Sequence, residues 1–129
     1  MTLTYKAVRL TQAGVAGGGN NNYMARLTNR KTIQLSELSD MISRRSTLSK
    51  ADIAGVVTAL AELTGELLLE NNTIQMGDLG TFSLHLKASP VATPEQVNPS
   101  TFKQLSLVFR ASTVLKDRIK TARYTRRLT

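Results

Sequence analysis

The side chains of this chain that could act on a partner are mostly cationic, and they are densest near its end. Residues 116–127, KDRIKTARYTRR, carry six Lys or Arg against the single Asp117. Such a density of cations suits the neutralisation of phosphate groups, and Tyr124 adds a ring on which a base could stack. The competing interpretation is a solvated terminal helix whose charge serves only solubility.

The whole sequence has the same bias. Its 17 Lys and Arg outnumber 9 Asp and Glu, which gives a formal net charge of +8 and a pI of about 10.3. Such a balance favours a polyanionic partner, although a merely basic soluble protein or a ribosome-associated one has the same charge.

Few other residues are suited to chemistry. The single histidine, His85, falls on the polar side of a predicted strand, and no second ligand lies at a metal-binding spacing. Serine-histidine-aspartate, paired-carboxylate, Walker and dinucleotide-binding patterns are missing, and the sequence has no cysteine. We therefore expect no enzyme, no cofactor, no metal and no small-molecule substrate.

The N-terminus, MTLTYKAVRL, lacks the basic-then-apolar pattern of a secretory signal. No apolar run approaches the roughly 18 residues that a membrane span needs. We expect a cytoplasmic protein with no membrane partner, and the absence of cysteine suits a reducing compartment.

The first 33 residues predict a small strand-forming extension. Alternating patterns over Tyr5–Leu10 and Tyr23–Leu27 favour two strands. The segment between them, 12–22, is rich in glycine and asparagine and predicts a mobile loop. We expect the two strands to pair with each other or with the sheet of the main domain.

Two helices follow. Apolar residues at helical spacing predict the first over Leu35–Ser46. Ser49 and Asp52 form a capping pattern for the second, which runs to about Asn71. Its apolar face is broad: Ile53, Val56, Val57, Leu60, Leu63, Leu67 and Leu68. A helix this apolar needs more cover than one small chain provides, which favours a dimer.

A glycine-flanked stretch, GDLGTFSLHL, opens the next part of the chain. Gly77 and Gly80 allow positive φ at both corners of a turn between a short strand at 73–76 and a strand at 81–87. Residues 88–102 hold all three prolines and one charged residue, Glu95, so they predict a loop or extended arm. A strand at 103–110 returns, and Ser112 caps a final helix through about Ala122.

This order of elements resembles the HU/IHF family of bacterial histone-like DNA-binding proteins. Residues 48–86 are similar to the family's second helix and first hairpin, with its G-x-x-G-T-F-like turn, and 106–119 are similar to its closing strand and terminal helix. Leu35–Ser46 matches the first helix in place and length. A strand-forming extension ahead of such a core resembles HU-related proteins of Bacteroidetes.

The resemblance implies an α+β fold in which two chains intertwine into a helical base with a β-sheet, and two β-ribbon arms grip the minor groove of double-stranded DNA. A homodimer is expected, with a heterodimer left open. The implied division is an extension at 1–33, an HU-like DNA-binding domain at 34–120 and a basic tail at 121–129. The expected phosphate contacts are Lys87, Lys103, Arg110, Lys116, Arg118 and Lys120, together with the amides of Gly80 and Thr81.

The arm departs from the family pattern. Family arms are rich in basic residues and carry an Arg-Asn-Pro tip whose proline wedges between base pairs. Residues 88–102 contain no Lys or Arg, and Val97 stands in the place of the arginine before Asn98-Pro99. Pro99 is thus the one candidate wedge, and we expect it to contribute little to bending.

Architectural, sequence-tolerant binding of duplex DNA in the nucleoid is the function that this reading favours. The alternative is an HU-fold structural or protein-interaction module with weak or no DNA binding. An RNA duplex also remains open, since contacts to the backbone discriminate poorly between duplex types.

Overall fold

The computed structural model describes residues 2–10 and 22–128, and the chain divides into two compact units. One unit is residues 34–117, here called the HU-like unit; the other, the extension unit, combines residues 1–33 with 118–129. Helices and strands are mixed, which confirms the predicted α+β class. The predicted loop at 12–22 lies outside the described residues except for Asn22.

The HU-like unit begins with two helices, α1 (Leu35–Ser43) and α2 (Lys50–Leu69). The Ser49 hydroxyl accepts a hydrogen bond from the Asp52 amide at 3.0 Å, which confirms the predicted cap. Asn71, just beyond α2, has a left-handed φ of 64°, which is common directly after a helix.

The first helix is shorter than predicted: it ends at Ser43 and does not reach Ser46. The Arg45 amide donates to the Ile42 carbonyl at 3.0 Å, three residues back, so the chain tightens after Ser43 and leaves the helical path. Arg44 instead forms an ion pair with Asp40 at 2.7 Å.

An antiparallel sheet of order β3-β4-β5 completes the HU-like unit: β3 (Ile74–Gln75), β4 (Gly80–Ala88) and β5 (Phe102–Ala111). Two short 3₁₀ turns, Pro94–Gln96 and Pro99–Thr101, lie between β4 and β5. Helix α3 (Thr113–Ile119) then begins at Ser112, whose hydroxyl accepts from the Leu115 amide at 3.1 Å. The predicted cap at Ser112 is thereby confirmed.

The extension unit is a second three-stranded sheet of order β2-β1-β6: β1 (Thr2–Arg9), β2 (Tyr23–Leu27) and β6 (Arg123–Arg126). Strands β1 and β2 are antiparallel, which confirms that the two predicted strands pair. Strand β6 is parallel to β1 and was not predicted.

The expectation of a final helix through about Ala122 was therefore wrong. The Ala122 amide donates to the Ile119 carbonyl at 3.1 Å, three residues back, and this turn ends the helix. The alternation of Arg123-Tyr124-Thr125-Arg126 then suits a strand, and the side of β1 away from β2 supplies unpaired peptide groups for it. Residues 118–129 belong to the same compact unit as the N-terminal extension. The division into functional domains at 1–33, 34–120 and 121–129 stays a prediction.

One chain buries very little of its apolar surface. Among the described residues, the buried apolar side chains are Ile53 and Leu68, at 4% and 6% exposure, and the buried polar one is Ser39. Large apolar residues of α2 and the β4–β5 ribbon stay exposed: Val56, Leu60, Leu63, Leu69, Leu86, Leu105, Leu107, Val108 and Phe109. None of the described helices has the length and apolar character of a membrane span.

Candidate nucleic-acid interface

The turn before β4 depends on Gly80. Its φ is +147°, and a Cβ there would press against the Arg110 carbonyl oxygen and come within 2.7 Å of the Phe109 ring. Phe109 in turn packs on Phe82 with ring centroids 4.9 Å apart. Glycine is therefore required at this position, because any side chain would displace the edge of β5.

Ser112 ties this turn to the start of α3. Its amide donates to the Leu79 carbonyl at 3.2 Å, and its hydroxyl donates to the Asp78 carbonyl. The same hydroxyl caps α3, the helix that carries Lys116 and Arg118. The turn, the strand ends and the first turn of α3 thus form one hydrogen-bonded cluster.

Gly80 and Thr81 were expected to offer their amides to a phosphate. Gly80 is buried, and Thr81 lies in the middle strand with Gln75 on one side and Arg110 on the other. Peptide groups of a middle strand face ladder partners on both sides. The geometry supports a structural role for both residues, and their binding to a phosphate stays an untested prediction.

The register of β4 and β5 separates the ribbon into two faces. Cross-strand partners share a face, so Phe82, Leu84 and Leu86 lie with Phe109, Leu107 and Leu105. The other face is mostly polar: Thr81, Ser83, His85, Lys87, Gln104, Ser106, Val108 and Arg110. Lys87 and Arg110 therefore share the polar face, about 20 Å apart along the ribbon at roughly 3.4 Å per residue. His85 is exposed, as predicted.

A β-bulge at the far end of the ribbon involves two predicted site residues. Lys87 pairs with Gln104 and Ala88 pairs with Phe102, so Lys103 is an extra residue in β5. Bulges bend a strand and re-aim a side chain. The backbone of Lys103 is thus next to that of Gln104, the partner of Lys87, so both lysines lie at the base of the loop that they were expected to flank.

The loop between β4 and β5 is closed by its own hydrogen bonds. The Asn98 side-chain oxygen accepts from the Ser100 amide at 2.9 Å, and its nitrogen donates to the Gln96 carbonyl at 3.1 Å. The Thr101 amide donates to the Asn98 carbonyl at 2.9 Å. Pro99 opens the second 3₁₀ turn, directly before β5, and is exposed. The loop is therefore compact and nearly neutral, and it exposes a proline close to its base.

The remaining predicted cations lie on or just after α3. Lys116 belongs to the HU-like unit, whereas Arg118 and Lys120 belong to the extension unit. No group of three or more His, Cys, Asp or Glu residues that could hold a metal ion occurs within 2–10 and 22–128.

From the sequence, Arg123 and Arg126 were assigned only to a basic tail, and their place in one sheet with Arg9 was not foreseen. Arg9, Arg123 and Arg126 lie on strands whose pairing was only partly foreseen. The alternation of 123–126 and the complete lack of acidic residues in 1–33 and 118–129 were the available signals.

The HU-like unit combines two helices, a turn that requires glycine, and a two-stranded ribbon whose loop contains prolines. These features define the class of small α+β DNA-binding folds to which HU belongs. The family "HU domain fused to wHTH, Ig, or Glycine-rich motif" matches residues 1–126. The integration host factor α subunit of Rhodobacter capsulatus is 31% identical over 69% of this chain and 91% of its own length. That of Rhodospirillum rubrum is 30% identical over 69% and 87%. The chain belongs to the HU/IHF family, in its HU-HIG branch.

Two solved structures share the fold. A candidate bacterial DNA-binding protein from Bacteroides vulgatus has a TM-score of 0.69 at 15% identity over 99% of this chain. The chain spans 50% of that protein's length. An Anabaena HU structure crystallised with DNA has a TM-score of 0.51 at 17% identity, over 67% of this chain and 97% of that one.

Proposed function

We propose that this protein is an architectural, largely sequence-independent binder of double-stranded DNA that acts as a dimer in the bacterial nucleoid. The observation that carries the proposal is the β4–β5 ribbon, whose strands carry Lys87 and Lys103 at the base of an exposed loop. Membership of the HU/IHF family supports it, as does the fold shared with an HU protein crystallised on DNA.

The dimer is supported by the surface that a single chain leaves uncovered. Leu60 and Leu63 of α2 are 42% and 52% exposed, and Leu86, Leu105 and Leu107 of the apolar ribbon face are exposed as well. At roughly 25 cal/mol per Å² of apolar surface, covering them with a second copy is strongly favourable. A homodimer is the simplest occupant, and a related HU-type chain would fit the same apolar face.

Phosphate contacts are assigned to Lys87, Lys103, Arg110 and Lys116 in the HU-like unit, and to Arg118 and Lys120 just beyond it. The HU-like unit has seven Lys and Arg against nine Asp and Glu, a net charge of −2. Binding by that unit therefore depends on where its few cations are placed. The loop segment around Pro99 has no cation, so it would fit the minor groove by its shape and would neutralise no phosphate.

The alternative, an HU-fold interaction module without DNA binding, is not favoured by the family or by the related structures. A role in the cytoplasmic nucleoid, without catalysis, agrees with the family. The strand-forming extension and the fold shared with the Bacteroides vulgatus protein support a place in the Bacteroidetes type of HU-related proteins.

The test is a gel-shift titration of the full chain with duplex DNA at about 50 and 200 mM salt. Six phosphate contacts would weaken binding by about 10³-fold between these concentrations. A duplex RNA of the same sequence is the matched control for duplex type. If duplex DNA is not shifted at either salt concentration, the proposal is wrong and the interaction-module alternative takes its place.

A further inference from the structure

The positive charge of the protein is concentrated in the extension unit. Residues 1–33 and 118–129 contain ten Lys and Arg and no Asp or Glu, whereas the HU-like unit has a net charge of −2. The whole formal charge of +8 is thus due to the smaller unit. A surface of a single sign attracts a polyanion and repels a second copy of itself.

The register of the extension sheet sorts its side chains by face. Tyr5 pairs with Leu27 on one side and Arg126 on the other, Arg9 pairs with Tyr23, and Leu3 pairs with Tyr124. All of these lie on one face, because partners share a face and alternate residues return to it. All three tyrosines of the protein are therefore on the same face of one sheet. We call it the tyrosine face.

The tyrosines run diagonally across the three strands, Tyr124 on β6, Tyr5 on β1 and Tyr23 on β2. Ala7 and Ala25, which pair with each other, floor an open depression between Tyr5 and Tyr23. Arg126 lies beside Tyr5, and Arg9 lies beside Tyr23. Tyr23 and Tyr124 are 68% and 66% exposed. The tyrosine face thus carries a diagonal track, in which tyrosine rings lie next to arginines and to the two alanines.

The sheet is held firmly enough to present this track as a fixed surface. The Thr28 amide donates to the Thr4 carbonyl at 2.8 Å, and the Arg127 amide donates to the Tyr5 carbonyl at 2.7 Å. The Arg127 guanidinium also donates to the Asn29 side-chain oxygen at 2.9 Å. Backbone hydrogen bonds therefore join both outer strands to β1 beyond the ends of the strands themselves.

We propose that the tyrosine face binds single-stranded nucleic acid. Exposed rings offer stacking surfaces that any unpaired base can use, and neighbouring arginines bind phosphates and stack on rings and bases. In a duplex the base faces are already stacked, so only the charges of this surface would be used. This site belongs to the extension unit and the ribbon belongs to the HU-like unit. It adds a second type of ligand to the one proposed above.

The test uses fluorescence anisotropy of a labelled oligothymidylate of about 12 nucleotides with the full chain. The variant Arg9→Ala/Arg126→Ala removes two cations from the tyrosine face. Its matched control, Lys6→Ala/Arg123→Ala, removes two cations from the opposite face of the same strands. The first should lower the slope of log affinity against log salt by about 1.4, at about 0.7 for each phosphate contact, and the control should lower it far less.

A second variant, Tyr23→Leu/Tyr124→Leu, keeps apolar side chains and strand propensity but removes the rings. We expect it to weaken single-strand binding at least tenfold and to leave duplex binding within about twofold. The proposal is overturned if both arginine pairs weaken binding equally, since net charge alone would then act. It is also overturned if the tyrosine variant binds the oligonucleotide normally, or changes only chain association, which would make the face a protein contact. Circular dichroism checks that each variant is folded.

Discussion

The two sheets of this protein have the same number of strands but expose faces of different chemistry. The β3-β4-β5 sheet exposes leucines and phenylalanine in a unit whose net charge is −2. The β2-β1-β6 sheet exposes tyrosines between arginines in a unit without a single acidic residue. An aliphatic face is suited to burial against another protein surface, whereas a ring-and-arginine face is suited to a polyanion with stacking groups. The side chains on each face therefore indicate different partners for the two three-stranded sheets.

The largest expected effect comes from placing a charge on the apolar surface of α2. Leu60→Asp should abolish folding together with dimerisation, because the carboxylate would be buried without a partner in the shared core. The matched control is Leu69→Asp on the same helix, at a position that is 80% exposed, and this variant should fold and dimerise. Light scattering and circular dichroism at micromolar concentration measure both. A folded Leu60→Asp monomer would show that α2 does not need a second chain.

The next effect tests how much the turn before β4 contributes to the stability of the fold. Gly80→Ala forces a Cβ against the Arg110 carbonyl and the Phe109 ring and should lower the free energy of unfolding by about 1–3 kcal/mol. Gly77→Ala is the control, since a Cβ at Gly77 meets no atom within 4 Å and only the φ of +53° is strained. Urea unfolding midpoints compare the two. Equal losses would mean that the contact with β5 is unimportant.

A smaller effect tests whether the two lysines at the base of the loop between β4 and β5 contribute to the affinity for duplex DNA. Lys87→Ala/Lys103→Ala should lower the slope of log affinity for duplex DNA against log salt by about 1.8, at about 0.9 per lost phosphate contact, with little dependence on sequence. Arg44→Ala/Arg45→Ala, just after α1, removes the same charge from the same unit and serves as the control. Equal slopes for the lysine variant and the unmodified chain would remove these lysines from the interface.

The smallest effect concerns Pro99 in the loop between β4 and β5. Pro99→Ala should change duplex affinity and bending much less than the lysine pair does, because the loop is closed by Asn98 and lacks any cation. Bending is measured by energy transfer between dyes at the two ends of a duplex. If Pro99→Ala abolishes bending while the lysine pair has no effect, the loop is an intercalating arm and our view of its chemistry is mistaken.

The sequence predicted the HU-like unit well because its signals are local. Ser49 caps α2, Gly80 has a φ that needs glycine, and the alternation of β4 sets its two faces. The bulge at Lys103 was not predicted, since one extra residue in a strand leaves no periodic trace.

The extension was predicted in part. The pairing of β1 with β2 follows from two alternating segments that are close in sequence. Strand β6 joins β1 across more than a hundred residues, and from the sequence its arginines were interpreted as part of a basic tail. A pairing at such a distance is decided by the open edge of β1, which no local pattern reveals. The tyrosine face therefore became visible only in the structure.

The central claim, a dimer that binds duplex DNA through its backbone, is tested most directly by sedimentation velocity of the full chain with a labelled duplex at two salt concentrations. The account predicts a complex that contains two chains for each site at low salt and that dissociates as salt rises. One folded chain per site, or a complex whose stability does not respond to salt, would contradict it.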